Sequence, residues 1–286
     1  MEVLRMNPLS LPFLAAKATK PFVVRFLPRQ AVRILRDSYY RYLRYRIRSP
    51  RLVGPIARSL GFRVQAGPFA GLLFPEEIIR ADIESPILPK LVGSYELECQ
   101  RFVEEICGRI YDQVINIGAG EGYYAVGVAR RIPGARVIAF ESHERSRELC
   151  AVLARLNGVE ARVEVRGICD RGSLNASLHP DSRTRTIIIC DCEGGELDLL
   201  QPDLIPGLRL VDLLIELHES AHPDISTIVP ARFAATHRLE IVESTERDPD
   251  VYPALASLRG NDREFLVSEH RLHQVKWLYA TSETYN

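Results

Sequence analysis

The sequence contains no run of some eighteen apolar residues, which excludes a transmembrane helix. It has no internal repeat and no low-complexity stretch, so neither a repeat array nor a long unstructured linker is expected. It has no net charge, with 37 Lys+Arg against 37 Asp+Glu. Its six cysteines (Cys99, Cys107, Cys150, Cys169, Cys190 and Cys192) lack the spacing of a disulfide framework, and two of them fall in what reads as a buried strand. A reducing, cytosolic setting is expected. Cys190 and Cys192 stand one residue apart, but no second pair or nearby His completes a zinc site, so they read as small buried apolar side chains and no metal is expected. The N-terminus also lacks the marks of a secretory leader. Its most apolar piece, Leu9–Ala16, is short, broken by Pro12 and followed by Lys17 and Lys20 rather than by a small-residue cleavage site.

What is present is a composition of 46% hydrophobic and 26% charged residues over 286 positions, as in a globular chain with one α/β domain and an extension. The charge is unevenly placed. Through Ala66 there are 14 Lys+Arg against Glu2 and Asp37, a net +12, so in a neutral chain the remainder carries −12. Residues 1–60 read as a basic, partly helical N-terminal extension, and residues 61–286 as the main domain, opened over 61–112 by a hairpin and a helix. Within the extension, Arg29–Arg48 is patterned as an amphipathic helix, with Arg29, Arg33, Arg36, Arg41, Arg44 and Arg48 on one face and Val32, Leu35, Tyr39, Tyr42 and Leu43 on another. Such a face docks on the acidic domain or contacts an anionic surface, a membrane or a nucleic acid.

The hairpin is expected at Phe62–Val64 and Leu72–Phe74, and a helix is expected to open at Ser94. Strands are then expected at Val114–Ile117, Arg136–Phe140, Arg162–Arg166, Thr186–Cys190, Asp212–Leu217, Arg238–Val242 and Glu264–Ser268. Helical patterns lie between them at Tyr124–Arg131, Glu144–Leu156, from Leu197, and around Ser226–Ala235. Strands alternating with helices predict an α/β, Rossmann-like doubly wound sheet, seven-stranded and mostly parallel.

The first of these strands runs into V-I-N-I-G-A-G-E-G-Y-Y, with Gly118, Gly120 and Gly122 at alternate positions and Ala119 between the first two. Glycine lets the backbone turn sharply and a ligand lie against it, between a strand and a helix N-terminus. The spacing is G-x-G-x-G, whereas dinucleotide loops usually read G-x-G-x-x-G. Glu141 ends the second strand, where a carboxylate can accept hydrogen bonds from both hydroxyls of a ribose. After the third strand, Ile168 and Cys169 can flank an adenine ring and Asp170 can accept from its amine; a turn-forming Asp reads equally well. The fourth strand runs into D-C-E-G-G-E, which sets Asp191, Glu193 and Glu196 where α/β enzymes place substrates. The fifth carries Glu216 and His218 on one face, the first in need of a partner and the second a candidate base. Tyr95 and Glu96, upstream of the glycine loop, can close over a ligand or simply start a helix.

Taken together, I-N-I-G-A-G-E-G-Y-Y, I-A-F-E, I-I-C-D-C-E-G-G-E-x-D-L-L and L-L-I-E-L-H resemble the FkbM-like methyltransferases, a class I S-adenosylmethionine-dependent family. The resemblance covers roughly residues 93–220, and the acidic motif D-x-E-G-x-E is matched by Asp191, Glu193, Gly194 and Glu196. It implies S-adenosylmethionine as cofactor, held by Asn116, Gly118, Ala119, Gly120, Gly122, Glu141, Cys169, Asp170 and Asp191. Asn116 stands where such enzymes commonly carry an acid for the methionine amino group. The implied reaction is methyl transfer to an oxygen, commonly a sugar hydroxyl, with Asp191, Glu193 or His218 relieving the hydroxyl of its proton. The expected acceptor is a small molecule or glycan. Two other readings stay open: an RNA methyltransferase positioned by the basic arm, although no N-P-P-Y-like motif follows the fourth strand, and a non-catalytic interaction protein on the same fold. The expected location is cytoplasmic, with peripheral membrane contact through Arg29–Arg48 as a variant.

Overall fold

A computed structural model describes residues 53–80, 86–178, 184–269, 271 and 274–285. The basic helix expected at Arg29–Arg48 lies outside the described residues, as does Leu9–Ala16. Among the described residues no helix is long and apolar enough to cross a membrane.

Seven strands form one sheet: β1 (Gln113–Ile117), β2 (Arg136–Phe140), β3 (Val163–Arg166), β4 (Thr186–Cys190), β5 (Asp212–Leu217), β6 (His237–Glu243) and β7 (Lys276–Ser282). Their order is β3-β2-β1-β4-β5-β7-β6. Strands β1 to β5 run parallel, and β7 lies antiparallel to both β5 and β6. This is the doubly wound, mostly parallel seven-stranded sheet expected from the sequence. The chain moves outward from β1 through β2 to β3 and then crosses back to β4, so the direction reverses between β1 and β4. At such a reversal the two loops leaving the strand ends diverge and leave a crevice.

The period of two along each strand divides the core between two faces. Val114, Ile187, Ile189, Leu214, Trp277 and Tyr279 pack with helices Ile87–Val92, Gln100–Gly108, Tyr123–Arg131, Glu144–Leu156 and Gly260–Val267. Ile115, Ile117, Ile188, Cys190, Ile215 and Leu278 pack on the other face with helices Arg171–Ser177, Glu196–Leu199 and Ile225–Phe233. Polar residues obey the same alternation. Asn116, Asp191 and Glu216 continue the rows of Val114, Ile189 and Leu214, so all three project on the first face at the carboxyl edge.

Residues 53–59 are helical and add Val53, Ile56 and Ala57 to the first-face core. The expected hairpin is reduced to a single antiparallel bridge, Arg63 with Leu73. Between them Phe69 lies over Gly127, where a Cβ would come within 2.5 Å of its ring, and packs edge-on against Tyr123 and Tyr124 at 5.1 and 5.8 Å.

Two further expectations are corrected. Glu264–Ser268 is not a strand; it falls within the helix Gly260–Val267, which buries Phe265, Leu266 and Val267. A short apolar run fits either element, and packing decided this one. The seventh strand is instead Lys276–Ser282, where Trp277 and Tyr279 face one core and Leu278 and Ala280 the other. Ser94 does not open a helix. A 3₁₀ turn spans Leu97–Cys99, and the helix begins at Gln100. The fully buried Ser94 hydroxyl donates instead to the Val267 carbonyl at 3.0 Å, tying this segment to the end of Gly260–Val267.

Candidate functional site

The glycine loop turns at the end of β1. Gly118, Gly120 and Gly122 have φ of 78°, 54° and 100°, but only two of them are crowded. A Cβ on Gly118 would stand 1.6 Å from the backbone oxygen of Asp191, and one on Gly122 would stand 2.8 Å from Cys150 Sγ. A Cβ on Gly120 would meet nothing within 4 Å. Gly118 and Gly122 therefore serve packing, while Gly120 faces open space. The bare Gly118 also lets the β4 loop close in, with the Asp191 N–H donating to the Ile117 carbonyl at 2.9 Å.

Glu141 is fixed beside this loop. Its Oε2 accepts from the Gly120 N–H and its Oε1 from the His143 N–H, both at 2.7 Å. Ala119, 7% exposed, donates its N–H to the Phe140 carbonyl, so the ends of β1 and β2 are laced together. Asn116 is 1% exposed; its amide nitrogen donates to the Ile189 carbonyl at 3.3 Å, and its oxygen has no partner. A buried acceptor without a donor is a place where a ligand's amine or hydroxyl can satisfy a desolvated group.

Cys169 and Asp170 lie beyond β3. Cys169 Sγ packs beside the second-face core. The Asp170 carboxylate caps helix Arg171–Ser177, accepting from the Ser173 N–H and hydroxyl at 2.7 Å each, and these bonds hold it below the usual carboxylate range. Ile168 beside them is 75% exposed, which is unusual for isoleucine.

On the other side of the crevice, Asp191, Glu193, Glu196, Glu216 and His218 converge from the ends of β4 and β5. Glu193 has φ of 56°, in the left-handed region, and its side chain is largely exposed. Glu196, at the first turn of Glu196–Leu199, is fully buried. Its Oε1 accepts from the Cys192 N–H at 3.0 Å and lies 2.8 Å from His218 Nδ1, while its Oε2 has no partner. A carboxylate can only accept there, so Nδ1 carries the hydrogen. Nε2 of His218 then faces Asp191 Oδ1 at 3.4 Å, Glu193 Oε2 at 3.6 Å and Glu216 Oε1 at 3.7 Å. Burial alone would lower the His218 pKa, but the Glu196 hydrogen bond and the surrounding carboxylates override it and push it up to about 10. Burial raises the Asp191 carboxyl, against the pull of His218 and Arg271.

Glu216 finds the partner its sequence position demanded. Arg271 pairs with it through Nη1, with Glu96 Oε1 through Nη2 at 2.7 Å and with Glu269 Oε2 through Nε at 2.7 Å. Arg247 bridges Glu98 and Glu269 at 2.6 and 2.5 Å. Four buried carboxylates thus share two guanidinium groups. Burial raises Glu216 well above the usual range, and burial brings Glu96 to about 7 against the pull of Arg271. Glu96 itself adopts φ of 46° and also accepts from the Tyr124 hydroxyl. Tyr95 lies nearby, its ring under Lys90 Nζ at 4.6 Å. Lys90 in turn holds Glu121 of the glycine loop at 2.5 Å, both side chains being buried.

The structure therefore brings Asn116, Gly118, Ala119, Gly120, Gly122 and Glu141 to one wall of the crevice, and Asp191, Glu193 and His218 to the other. Cys169 and Asp170 stand apart from both hydrogen-bond networks. Sequence reasoning named Glu196 only as part of a motif, and missed Lys90, Arg247 and Arg271. A lysine inside the apolar run I-L-P-K-L-V was the one available signal. Arg247 and Arg271 lie in polar segments without pattern.

No protein-family model and no curated protein matches the chain. Solved structures to which it is similar include the delta-N METTL16 MTase domain, at 14% identity over 82% of this chain and 94% of that one, TM-score 0.45. Another is a precorrin-6y C5,15-methyltransferase from Geobacter metallireducens, at 11% identity over 66% and 92%, TM-score 0.43. A third is an O-methyltransferase from Bacillus cereus in complex with SAH, at 15% identity over 70% and 82%, TM-score 0.42.

Proposed function

We propose that this chain is an S-adenosylmethionine-dependent methyltransferase acting on a hydroxyl oxygen of a small-molecule or glycan acceptor. The observation that carries the reading is the pairing of Glu141 with the open Gly120 turn at the strand reversal. The sequence resemblance to FkbM-like methyltransferases supports the same cofactor.

The residues present fit the group. Gly120 leaves room for a ligand against the backbone, and Glu141 is pre-oriented by two N–H donors to receive ribose hydroxyls. The partnerless Asn116 oxygen suits the ammonium of the methionine part, doing with an amide what an acid does elsewhere. Ile168 and Cys169 are assigned to the adenine, with Asp170 at its edge. S-adenosylmethionine supplies an electrophilic sulfonium methyl, so the protein's task is to hold the acceptor in line and take its proton. The acidic wall also favours a cationic ligand electrostatically.

The proton falls to Asp191, with Glu193 beside it, rather than to His218. At neutral pH an imidazole with a pKa of about 10 is already protonated and cannot act as a base. It can keep Asp191 ionised in a site where burial works against that charge. The same wall of carboxylates repels a phosphate backbone, which favours a neutral polyol acceptor over RNA.

Calorimetry with S-adenosylmethionine, S-adenosylhomocysteine and NAD tests the cofactor; binding of the first two and not the third is expected. Transfer of labelled methyl across a panel of polyols, glycans and RNA tests the acceptor. Incorporation into RNA alone would overturn the hydroxyl assignment, and NAD binding would overturn the cofactor.

A further inference from the structure

We propose that Arg63 and Arg130, which meet over Gly71, bind the phosphate of an anionic lipid headgroup and so give the domain a membrane-docking surface of its own. The inference goes beyond the methyltransferase reading, and none of its measurements depends on that reading.

The argument begins with a close approach of like charges. Arg63 forms the antiparallel bridge with Leu73, and Arg130 stands in the last turn of helix Tyr123–Arg131. Gly71 turns beside both, with φ of 84°. A Cβ there would lie 3.6 Å from Arg130 Nη2 and 3.8 Å from Arg63 Nη1, and apart from its chain neighbours no other residue would come within 4 Å. The two nitrogens are therefore no further apart than the sum of those distances. Two N–H donors about 2.8 Å from different oxygens of one phosphate stand roughly 5–7 Å apart, so one phosphate spans such a pair.

A second observation is that neither guanidinium has an anion. Arg63 donates to the Gly71 carbonyl at 3.3 Å, Arg130 makes no hydrogen bond, and no carboxylate pairs with either among the described residues. The arginines around them are already engaged. Arg131 holds Glu104 and the Pro68 carbonyl, and Arg162 donates to the carbonyls of Ala129, Ile132 and Ala135 at the end of the same helix. Burial and the Arg63 charge both push the half-buried Arg130 below its usual pKa, with no acid acting in the other direction. By contrast, the buried Arg247 and Arg271 are each met by two or more carboxylates. Two guanidiniums side by side without a counter-charge are relieved by an anion that reaches both.

The basic arm points to a lipid as the source of that phosphate. The chain reaches Val53 from the arm, and the helical residues 53–59 lead within four residues to Arg63, the Phe62 N–H closing on the Ala57 carbonyl at 2.7 Å. Upstream, the pattern of 29–48 sets arginines against Val32, Leu35, Tyr39, Tyr42 and Leu43. A nucleic acid has no use for that apolar stripe, whereas a bilayer interface takes it while the arginines meet headgroup phosphates. The arm and the Arg63–Arg130 pair lie close together along the chain, so two contacts on one surface reinforce each other. Helix Tyr123–Arg131 runs from the glycine loop to Arg130. A surface docked there stands a helix length, roughly 12 Å, from the acidic crevice wall it would repel.

The test is sedimentation of the whole chain with phosphatidylcholine vesicles that contain or lack phosphatidylglycerol, whose only charge is its phosphate. We expect binding to the phosphatidylglycerol vesicles alone, weakened by salt, and weakened roughly tenfold or more in the double variant Arg63→Gln, Arg130→Gln. The double variant Arg145→Gln, Arg238→Gln removes the same charge from exposed arginines already paired with Glu148 and Glu240, and should bind as wild type does. An equal loss there would reduce the effect to net charge and overturn the site. Relief of like-charge repulsion should leave the melting temperature of the Arg63, Arg130 variant unchanged or higher; a lower one would assign the pair to the fold and overturn the proposal. No binding of wild type to either vesicle, or undiminished binding of the variant, would overturn it as well. Loss of binding to a single-stranded RNA, or of thermal protection by inorganic phosphate, with vesicle binding intact would assign the pair to those ligands and overturn the lipid.

Discussion

Gly118 and Gly120 are two residues apart on one loop, yet a side chain would have opposite effects at each. At Gly118 a Cβ would collide with the Asp191 carbonyl at 1.6 Å, whereas at Gly120 it would enter a space with no protein atom within 4 Å. Gly118→Ala should therefore cost stability, on the order of 2–5 kcal/mol, because backbone must move and a left-handed φ is strained. Gly120→Ala should cost only about 1–2 kcal/mol of backbone strain while weakening S-adenosylmethionine at least tenfold. Denaturant unfolding and calorimetry on the two variants check this. Equal loss of stability at both positions would show that Gly120 is structural.

The buried network predicts a second outcome. Arg271→Met strands Glu96 and Glu216 without their cation and leaves Glu269 to Arg247 alone. Removing one partner of a buried ion pair typically costs about 3–5 kcal/mol, or roughly 6–15 °C in melting temperature for a domain of this size. Protonation can relieve stranded carboxylates, so the deficit relative to wild type should be larger at pH 8 than at pH 5.5. A deficit independent of pH would mean that the arginine acts by packing rather than by charge.

A third outcome concerns His237, 4% exposed and remote from the site. Its Nε2 lies 2.8 Å from the Val211 carbonyl, so that nitrogen carries the hydrogen, and Nδ1 accepts from the Thr236 hydroxyl. Burial lowers its pKa, so the fold prefers the neutral ring. The unfolded chain takes up a proton first as pH falls below about 6.5, so this contribution to stability is complete above that pH and declines below it. The loss should approach about 1.4 kcal/mol per pH unit at most. His237→Gln keeps a donor for Val211 and removes the titration. Between pH 7.5 and 5.0 it should lose less stability than wild type, and parallel curves would refute the assignment.

The sequence by itself determined the sheet's parallel half and one wall of the site. The strand runs from Val114 to Leu217 are apolar and largely β-branched, and their periodicity is local, so it survives without tertiary information. The glycine loop and Glu141 were legible for the same reason: each follows its strand at a fixed distance, and parallel pairing of β1 with β2 then brings them together. Other features depended on contacts between distant segments. Phe265–Val267 became helix and Trp277–Ala280 became strand because only the second run could fill the gap between β5 and β6 with alternate side chains facing both cores. Arg271, 55 residues from Glu216 and 175 from Glu96, could not be assigned to either by spacing, since charge pairing has no period. The surroundings of His218 were hidden for a related reason. Its position at the end of β5 suggested a base, and the carboxylates that set its proton affinity come from β4 and its loop, which only the packed sheet places around one imidazole nitrogen.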